Sequence, residues 1–299
     1  MNIVFYGFAE REAYPSSSGW HFKPIIDIAK KFKNYKIYSV IQSSQKCYIV
    51  KDNLKEISKK SILKINPDLF VCRSYGELGV FDKLLSNSKK SIYLYSITKP
   101  SLGYLSRYTK IVCPKSIFKP VPDYDIFRKF KKKKKYISYV GSLFPRKNQI
   151  RFAQSLDPEI TKEHPVFFSG KNKNPGYVDS LISTCKNRNI KYYIPKKFHI
   201  PHIDLYKIYR ESACLILMSE EDDNPRCLIE SILSNTPFII SKDVKINEEY
   251  EEFGIRSDFK NLNKNIRYII DDFKMPEVTD NFMKKHSVEY YINNTLEIK

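Results

Sequence analysis

Strand-length apolar runs alternate with helical patterns along the whole chain, and this alternation constrains the fold more than any other feature. Asn2 to Phe8 reads as a buried strand and Tyr14 to Trp20 as a loop of turn residues. A helical pattern follows, with Ile25, Ile26, Ile28, Ala29 and Phe32 on one side and Lys23, Lys30, Lys31 and Lys33 on the other. Further strand-length runs at 36–41, 69–72, 91–95 and 110–113 are separated by helical or turn material, and the second half repeats the style at 136–141, 165–169, 191–194, 213–218 and 237–240. Strands buried on both faces read as such runs, so the pattern predicts parallel α/β sheets covered by helices.

Two sheets are expected. A chain of 299 residues and 35.3 kDa suits two compact cores better than one. Hydrophobic residues at 42% and aromatics at 14% are enough to fill them, which excludes a disordered protein. Pro114, Pro120 and Pro122 punctuate an irregular stretch that ends in Arg128, Lys129, Phe130 and the run Lys131 to Lys135. This places a linker at roughly 114–135, a first domain at 1–130, a second at 131–275 and a closing segment at 276–299. That closing segment spaces Phe282, His286, Val288, Tyr291 and Leu296 as helical contacts. The lysine run has two readings, an anion-binding element or a solvated junction.

The formal net charge of +19, with a pI near 9.4, points to an anionic partner such as nucleic acid, anionic lipid or a phosphorylated substrate. The competing reading is compositional, because lysine, isoleucine, asparagine and tyrosine are abundant throughout, as an AT-rich genome writes them. Cys47, Cys72, Cys113, Cys185, Cys214 and Cys227 form no C-x-x-C pair and read as reduced core residues. The amino terminus shows no basic leader with a long apolar stretch, and the run Ala213 to Met218 is far shorter than the roughly 20 residues of a membrane span. The expected location is cytoplasmic, or peripheral on a membrane surface.

The most informative stretch is Ser219 to Ile240. Asn224 suits an N-cap and Pro225 a first helical turn, so a helix is expected from about Pro225 to Ser234, stopped by Asn235 and Pro237. A helix start delivered by the strand Ala213–Met218 to the carboxyl end of a sheet offers N–H groups to an anion such as a diphosphate. Arg226 and Glu230 stand four apart on a face separate from Leu228, Ile229, Ile232 and Leu233. They form either an ordinary i, i+4 ion pair or a nucleotide site, with Arg226 facing phosphate and Glu230 accepting from a ribose.

Asp222, Asn224-Pro225, Leu228 to Ser231 and Asn235 to Ile240 resemble the acid, seven residues, glutamate motif and following strand of retaining glycosyltransferases with the GT-B fold, family four above all. Asp222 stands where the first glutamate usually is. Tyr139 to Asn148 is similar to that family's strand and loop V-G-R-L-x-P-x-K-G, with Lys147 on the motif lysine, Ser142 in place of the arginine and Asn148 in place of the glycine. Pro165 to Gly170 with Lys171 resembles the family's apolar strand and glycine turn, and Ile203 to Leu217 the helix and strand before the acidic motif.

The resemblance implies two Rossmann-like doubly wound domains with a cleft between them and a final helix crossing back to the first. It implies a metal-independent enzyme that takes a nucleoside-diphosphate sugar as co-substrate and needs no cofactor. Asp222, Glu230 and Lys147 would be catalytic. Gly141, Ser142, Arg146, Lys147, Lys171, Asn224, Arg226 and Glu230 would hold the donor nucleotide and diphosphate, and Ser18 and Gly19 would face the donor from the first domain. Arg73 and Glu77, after the strand Leu69 to Cys72, are either acceptor groups or an ordinary loop. The implied partner is a large anionic acceptor, a membrane-associated glycan or lipid-linked saccharide, with hydroxylated bases of viral or phage DNA as the alternative. Asp123-Tyr124-Asp125 sits in the Pro-rich linker and reads as turn residues rather than a metal site, and the histidines offer no helical metal pair. Two other classes compete: a non-catalytic α/β nucleic-acid-binding protein, which would explain the charge but for which the sequence shows no helix-turn-helix, zinc finger or RNP-like run, and a nucleotide-sugar epimerase, against which the motif pair argues.

Overall fold

The computed structural model describes residues 1–7, 22–41, 44–51, 53–72, 78–94, 105–112, 121, 131–170, 172, 174–195, 200 and 202–297. The chain divides into two compact units, one of Met1–Pro122 with Lys284–Lys299 and one of Asp123–Met283.

The first unit carries β1 (Asn2–Tyr6), β2 (Lys36–Val40), β3 (Cys47–Val50), β4 (Leu54–Ile57), β5 (Leu69–Cys72), β6 (Lys90–Leu94) and β7 (Lys110–Val112), in the sheet order β4-β3-β2-β1-β5-β6-β7. Alternate residues of one strand feed separate cores, as the pleat requires. Ile3, Phe5, Leu69 and Val71 pack with Ile25 and Ile28 of the helix Phe22–Lys31, while Val4, Tyr6, Phe70 and Cys72 pack with Phe81 and Leu84. Helical cover on both faces makes the sheet doubly wound. One edge departs from the all-parallel expectation: β3 pairs antiparallel with both β2 and β4, and β3 and β4 are joined by a tight turn closed by Lys51 N donating to Asn53 O at 3.0 Å. A turn this short cannot carry a crossover, so the strands it joins must reverse.

The closing segment is not the single helix that its spacing suggests. It breaks into Asp280–Lys285, Val288–Tyr290 and a wide π turn at Tyr291–Leu296. Tyr291, Ile292 and Leu296 enter the core around Ile25 and Ile28, so burial in the first unit, rather than helical regularity, sets this course. Beyond them Glu297, in the left-handed region at φ 51°, pairs with Lys90 of β6 and Lys110 of β7. These two ammonium groups, Lys110 first, hold its carboxyl well below the ordinary 4.5, at about 2. A depressed carboxyl contributes stability above its unfolded value and loses it as pH falls through the folded one. Glu297→Gln is therefore expected to cost about 0.5–1 kcal/mol near neutral pH, the modest figure reflecting solvent screening, and the difference from wild type should fade between pH 4.5 and about 2. Denaturant unfolding of both proteins across that window checks it.

The second unit builds a parallel sheet from β8 (Tyr136–Val140), β9 (Val166–Ser169), β10 (Tyr192–Tyr193), β11 (Ser212–Leu217), β13 (Phe238–Ser241) and β15 (Gly254–Ser257), in the order β10-β9-β8-β11-β13-β15. A two-stranded patch pairs β12 (Asp222–Asp223) with β14 (Val244–Lys245). The lysine run belongs to this unit and is not a linker: Lys133 N donates to Arg210 O at 3.2 Å and Lys135 N to Glu211 O at 2.6 Å, while all five residues are exposed. Backbone pairing of 131–135 with the end of the helix His202–Glu211 is a tertiary interaction that composition does not reveal. The two units divide at 122/123 and 283/284. Among the described residues no helix is long and apolar enough to cross a membrane, and Cys47, Cys72, Cys185, Cys214 and Cys227 are unbridged.

Candidate active site

From β8 the chain runs outward through β9 to β10, then returns to β11 on the other side of β8, so the strand order reverses between β8 and β11. Ligands of open α/β sheets bind outside the carboxyl ends of strands at such a reversal. The segments leaving those two ends are 141–148 and 218–224, which contain both motif matches.

The first segment starts with a close backbone approach. Gly141 N donates to Ser169 O at 2.8 Å, and Gly170, at φ 154°, lies so near that an added Cβ would stand 1.8 Å from the Gly141 carbonyl oxygen. At Gly141 itself an added Cβ would meet nothing within 4 Å. The chain then makes a single tight turn at Pro145–Lys147 and passes through Asn148 at φ 56° before the helix Gln149–Ser155. Asparagine tolerates this left-handed conformation, which accounts for its place where the resemblance expects glycine. Its Nδ2 also donates to Met218 O at 3.0 Å. Ser142 contributes its carbonyl to Gln149 Nε2 at 3.0 Å, and Tyr177 Oη donates to Gln149 Oε1 at 3.1 Å.

Tyr139 joins the two segments. Its fully buried hydroxyl donates to Lys147 O and accepts from Met218 N at 3.0 Å, and burial pushes its pKa far above the usual phenol value. Arg146 adds a second clasp: Glu220 N donates to Arg146 O at 3.0 Å, and the guanidinium donates to Glu221 O while lying 5.5 Å over the Phe144 ring. Across this zip, the Lys147 ammonium pairs with the Asp222 carboxylate, both side chains nearly buried. The motif lysine and the motif acid, 75 residues apart, are thus in contact.

The acidic segment corrects the helix start. Asn224 is not the N-cap: it is fully buried at φ 45°, donates its N–H to Lys245 O at 2.7 Å and hydrogen-bonds Tyr250 with its side chain. Pro225 occupies the cap position and the helix runs Arg226–Leu233. The left-handed φ of Asn224, beside the β12–β14 pairing, is incompatible with the extended backbone that an N-cap takes. Nor do Arg226 and Glu230 lie on a wet face: their side chains are 9% and 3% exposed. Arg226 Nε sits 2.9 Å from Glu230 Oε1, and Tyr209 Oη donates to Glu230 Oε2 at 3.0 Å. Burial raises the Glu230 carboxyl above its usual range, with Arg226 and Tyr209 opposing the shift.

Gly141, Ser142, Arg146, Lys147, Asp222, Asn224, Arg226 and Glu230 therefore gather around the ends of β8 and β11. Ser18, Gly19, Arg73, Glu77 and Lys171 lie outside the described residues, as does the Asp123–Asp125 pair. Tyr139 and Tyr209 were not singled out from sequence. The only local signal was a tyrosine inside an apolar strand or helix, where a buried hydroxyl demands a partner.

A family model, glycosyl transferases group 1, matches residues 123–286. None of the curated proteins matches the chain by sequence. Among solved structures, a glycosyltransferase from Rickettsia africae is similar over 99% of this chain and 97% of its own, with a TM-score of 0.68 and 14% identity. An α,α-trehalose 6-phosphate synthase from Burkholderia multivorans is similar over 99% and 97%, at TM-score 0.63 and 10% identity. The Anabaena protein HepE, solved with UDP and glucose, is similar over 99% and 98%, at TM-score 0.57 and 10% identity. With the two Rossmann-like units and the motif pair of the second, the chain belongs to the glycosyl transferases group 1 and is a glycosyltransferase of the GT-B fold.

Proposed function

We propose that the protein is a retaining, metal-independent enzyme that moves a sugar from a nucleoside-diphosphate sugar to a hydroxyl of a large anionic acceptor, a surface glycan or lipid-linked saccharide. The contact between Lys147 and Asp222 at the reversal of the sheet carries this reading. In the reaction the bond from the anomeric carbon to the diphosphate oxygen breaks, the bond to the acceptor oxygen forms, and the acceptor hydroxyl proton passes to the departing diphosphate. Negative charge grows on the departing diphosphate, where fixed cationic and N–H groups are most effective. Lys147 is the cation for this task, shared between Asp222 and the phosphates. Arg146 and Arg226 serve indirectly, the first by clasping 220–221 and the second by holding Glu230 for the ribose. The space in front of Gly141 takes the diphosphate. The first unit is proposed to receive the acceptor, and the location is proposed to be cytoplasmic.

The UDP in the similar Anabaena structure makes UDP the first nucleotide to try. Titration calorimetry of the full chain with UDP, GDP and ADP, without metal, is expected to show binding of one of them, weakened at least about tenfold by Lys147→Ala. Binding that needs a divalent cation would sink metal independence, and unchanged binding by Lys147→Ala would remove that residue from the site. The net charge of +19 favours a second reading, glycosylation of hydroxylated bases in viral or phage DNA. Activity on polymeric DNA that collapses with added salt would select it.

A further inference from the structure

We propose that the amino-terminal edge of the second unit's sheet is a docking surface for an anionic lipid bilayer. Parallel strands all begin at one edge, so the segments leading into β8, β9 and β10 converge there. Their contact is direct: Ile137 N donates to Pro165 O at 3.1 Å, Val166 N donates to Lys191 O at 2.9 Å, and Lys191 Nζ reaches Lys162 O at 3.5 Å. The segment before β8 is Lys131–Lys135, exposed throughout, and the one before β10 contributes the exposed Lys186, Arg188 and Lys191. Acids on the segment before β9 are fewer, and Glu159 is already paired with Lys162 at 2.7 Å. Like charges crowd within the run. Desolvation against the protein surface holds the Lys132 ammonium below its ordinary pKa, and the Lys134 and Arg210 cations add a smaller repulsion that anionic headgroups would offset.

An aromatic ledge adjoins the cations. Tyr193 registers with Phe167 and Phe167 with Ser138, two residues from Tyr136, so the three rings share one face of β8, β9 and β10. Tyr136 lies 5.6 Å from Phe167 and 5.7 Å from Tyr193, and Tyr193 is 51% exposed. Amphipathic rings beside lysines suit the headgroup layer of an anionic membrane. Single-stranded nucleic acid would instead need open ring faces for stacking. Here the Lys135 ammonium sits 4.8 Å over Tyr136, and Phe167 and Tyr193 meet that ring edge-on, at 60° and 84°. The edge also lies about 16 Å from Gly141, the length of a five-residue strand at roughly 3.3 Å per residue, so docking leaves the donor segments open.

The test is co-sedimentation of the full chain with phosphatidylcholine vesicles, with and without phosphatidylserine, beside oligothymidine binding. The expected result is binding to the anionic vesicles alone, reversed by salt. It should be weakened about 100-fold by Lys131→Glu/Lys132→Glu/Lys133→Glu, to a similar degree by Lys186→Glu/Lys191→Glu, and about tenfold by Tyr193→Ser. UDP binding and melting temperature should stay unchanged in all three variants, which separates this surface from the donor site. Equal binding to neutral vesicles, or wild-type behaviour of both lysine variants, would overturn the proposal. Binding to oligothymidine without binding to vesicles would overturn it in favour of nucleic acid.

Discussion

Gly170→Ala is expected to remove a large share of the second unit's stability. An alanine methyl there would stand 1.8 Å from the carbonyl oxygen of Gly141 and 2.3 Å from its carbon, and both obstacles are backbone, so no side chain can swing aside. The φ of 154° adds strain for any residue with a Cβ. Relief requires β8 and β9 to part just where Gly141 N donates to Ser169 O. A penalty of about 4 kcal/mol or more follows, against a total stability of about 5–15 kcal/mol for a domain. Gly141→Ala makes the opposite prediction. Nothing stands within 4 Å of its new methyl, so the melting temperature should move by no more than about 2 °C, yet nucleotide binding should fall at least about tenfold because the methyl enters the space proposed for the diphosphate. Thermal melts and UDP titration of the two variants check both statements. Wild-type UDP affinity in Gly141→Ala would show that this loop does not carry the donor.

The buried pair of Arg226 and Glu230 yields the second large effect. Glu230→Ala strands a guanidinium that is 9% exposed and takes the acceptor from Tyr209 Oη, so a loss of about 3–5 kcal/mol is expected, or roughly 6–20 °C in the melting of this unit. Replacing both members, Arg226→Met with Glu230→Met, should recover most of that stability, because two apolar side chains of similar size avoid the desolvation of two charges. Activity should remain lost in the double variant, since the group proposed to hold the ribose is gone. A double-mutant cycle with a melt and an activity assay on each protein reads both. Recovery of activity along with stability would show that the pair is architectural only.

Much of this was legible before any coordinates. β5 begins and ends at Leu69 and Cys72 as its apolar run indicates, and β1, β8 and β11 are displaced by no more than two residues, because fully buried parallel strands leave continuous apolar runs. The hairpin of β3 and β4 was missed, since Lys55 and Glu56 on an exposed edge interrupt the pattern by which a strand is recognised. Within the candidate site, the motif resemblance named Lys147, Asp222 and Glu230, which lie around the ends of β8 and β11. The sequence could not say that Lys147 meets Asp222, that Asn224 turns away from its cap to β14 and Tyr250, or that Tyr139 ties both segments together.

The division has one physical reason. Alternation of apolar runs, glycine where backbones touch and acids at a fixed spacing are local properties, and they determined the α/β class, the two cores and the identity of the motif residues. Which polar groups pair depends on which strand ends the sheet brings together and which side chains lose water there. Contacts across 75 residues, such as Lys147 with Asp222, are therefore decided only by the tertiary structure, and so is the convergence of two basic lead-ins on one edge of the second sheet.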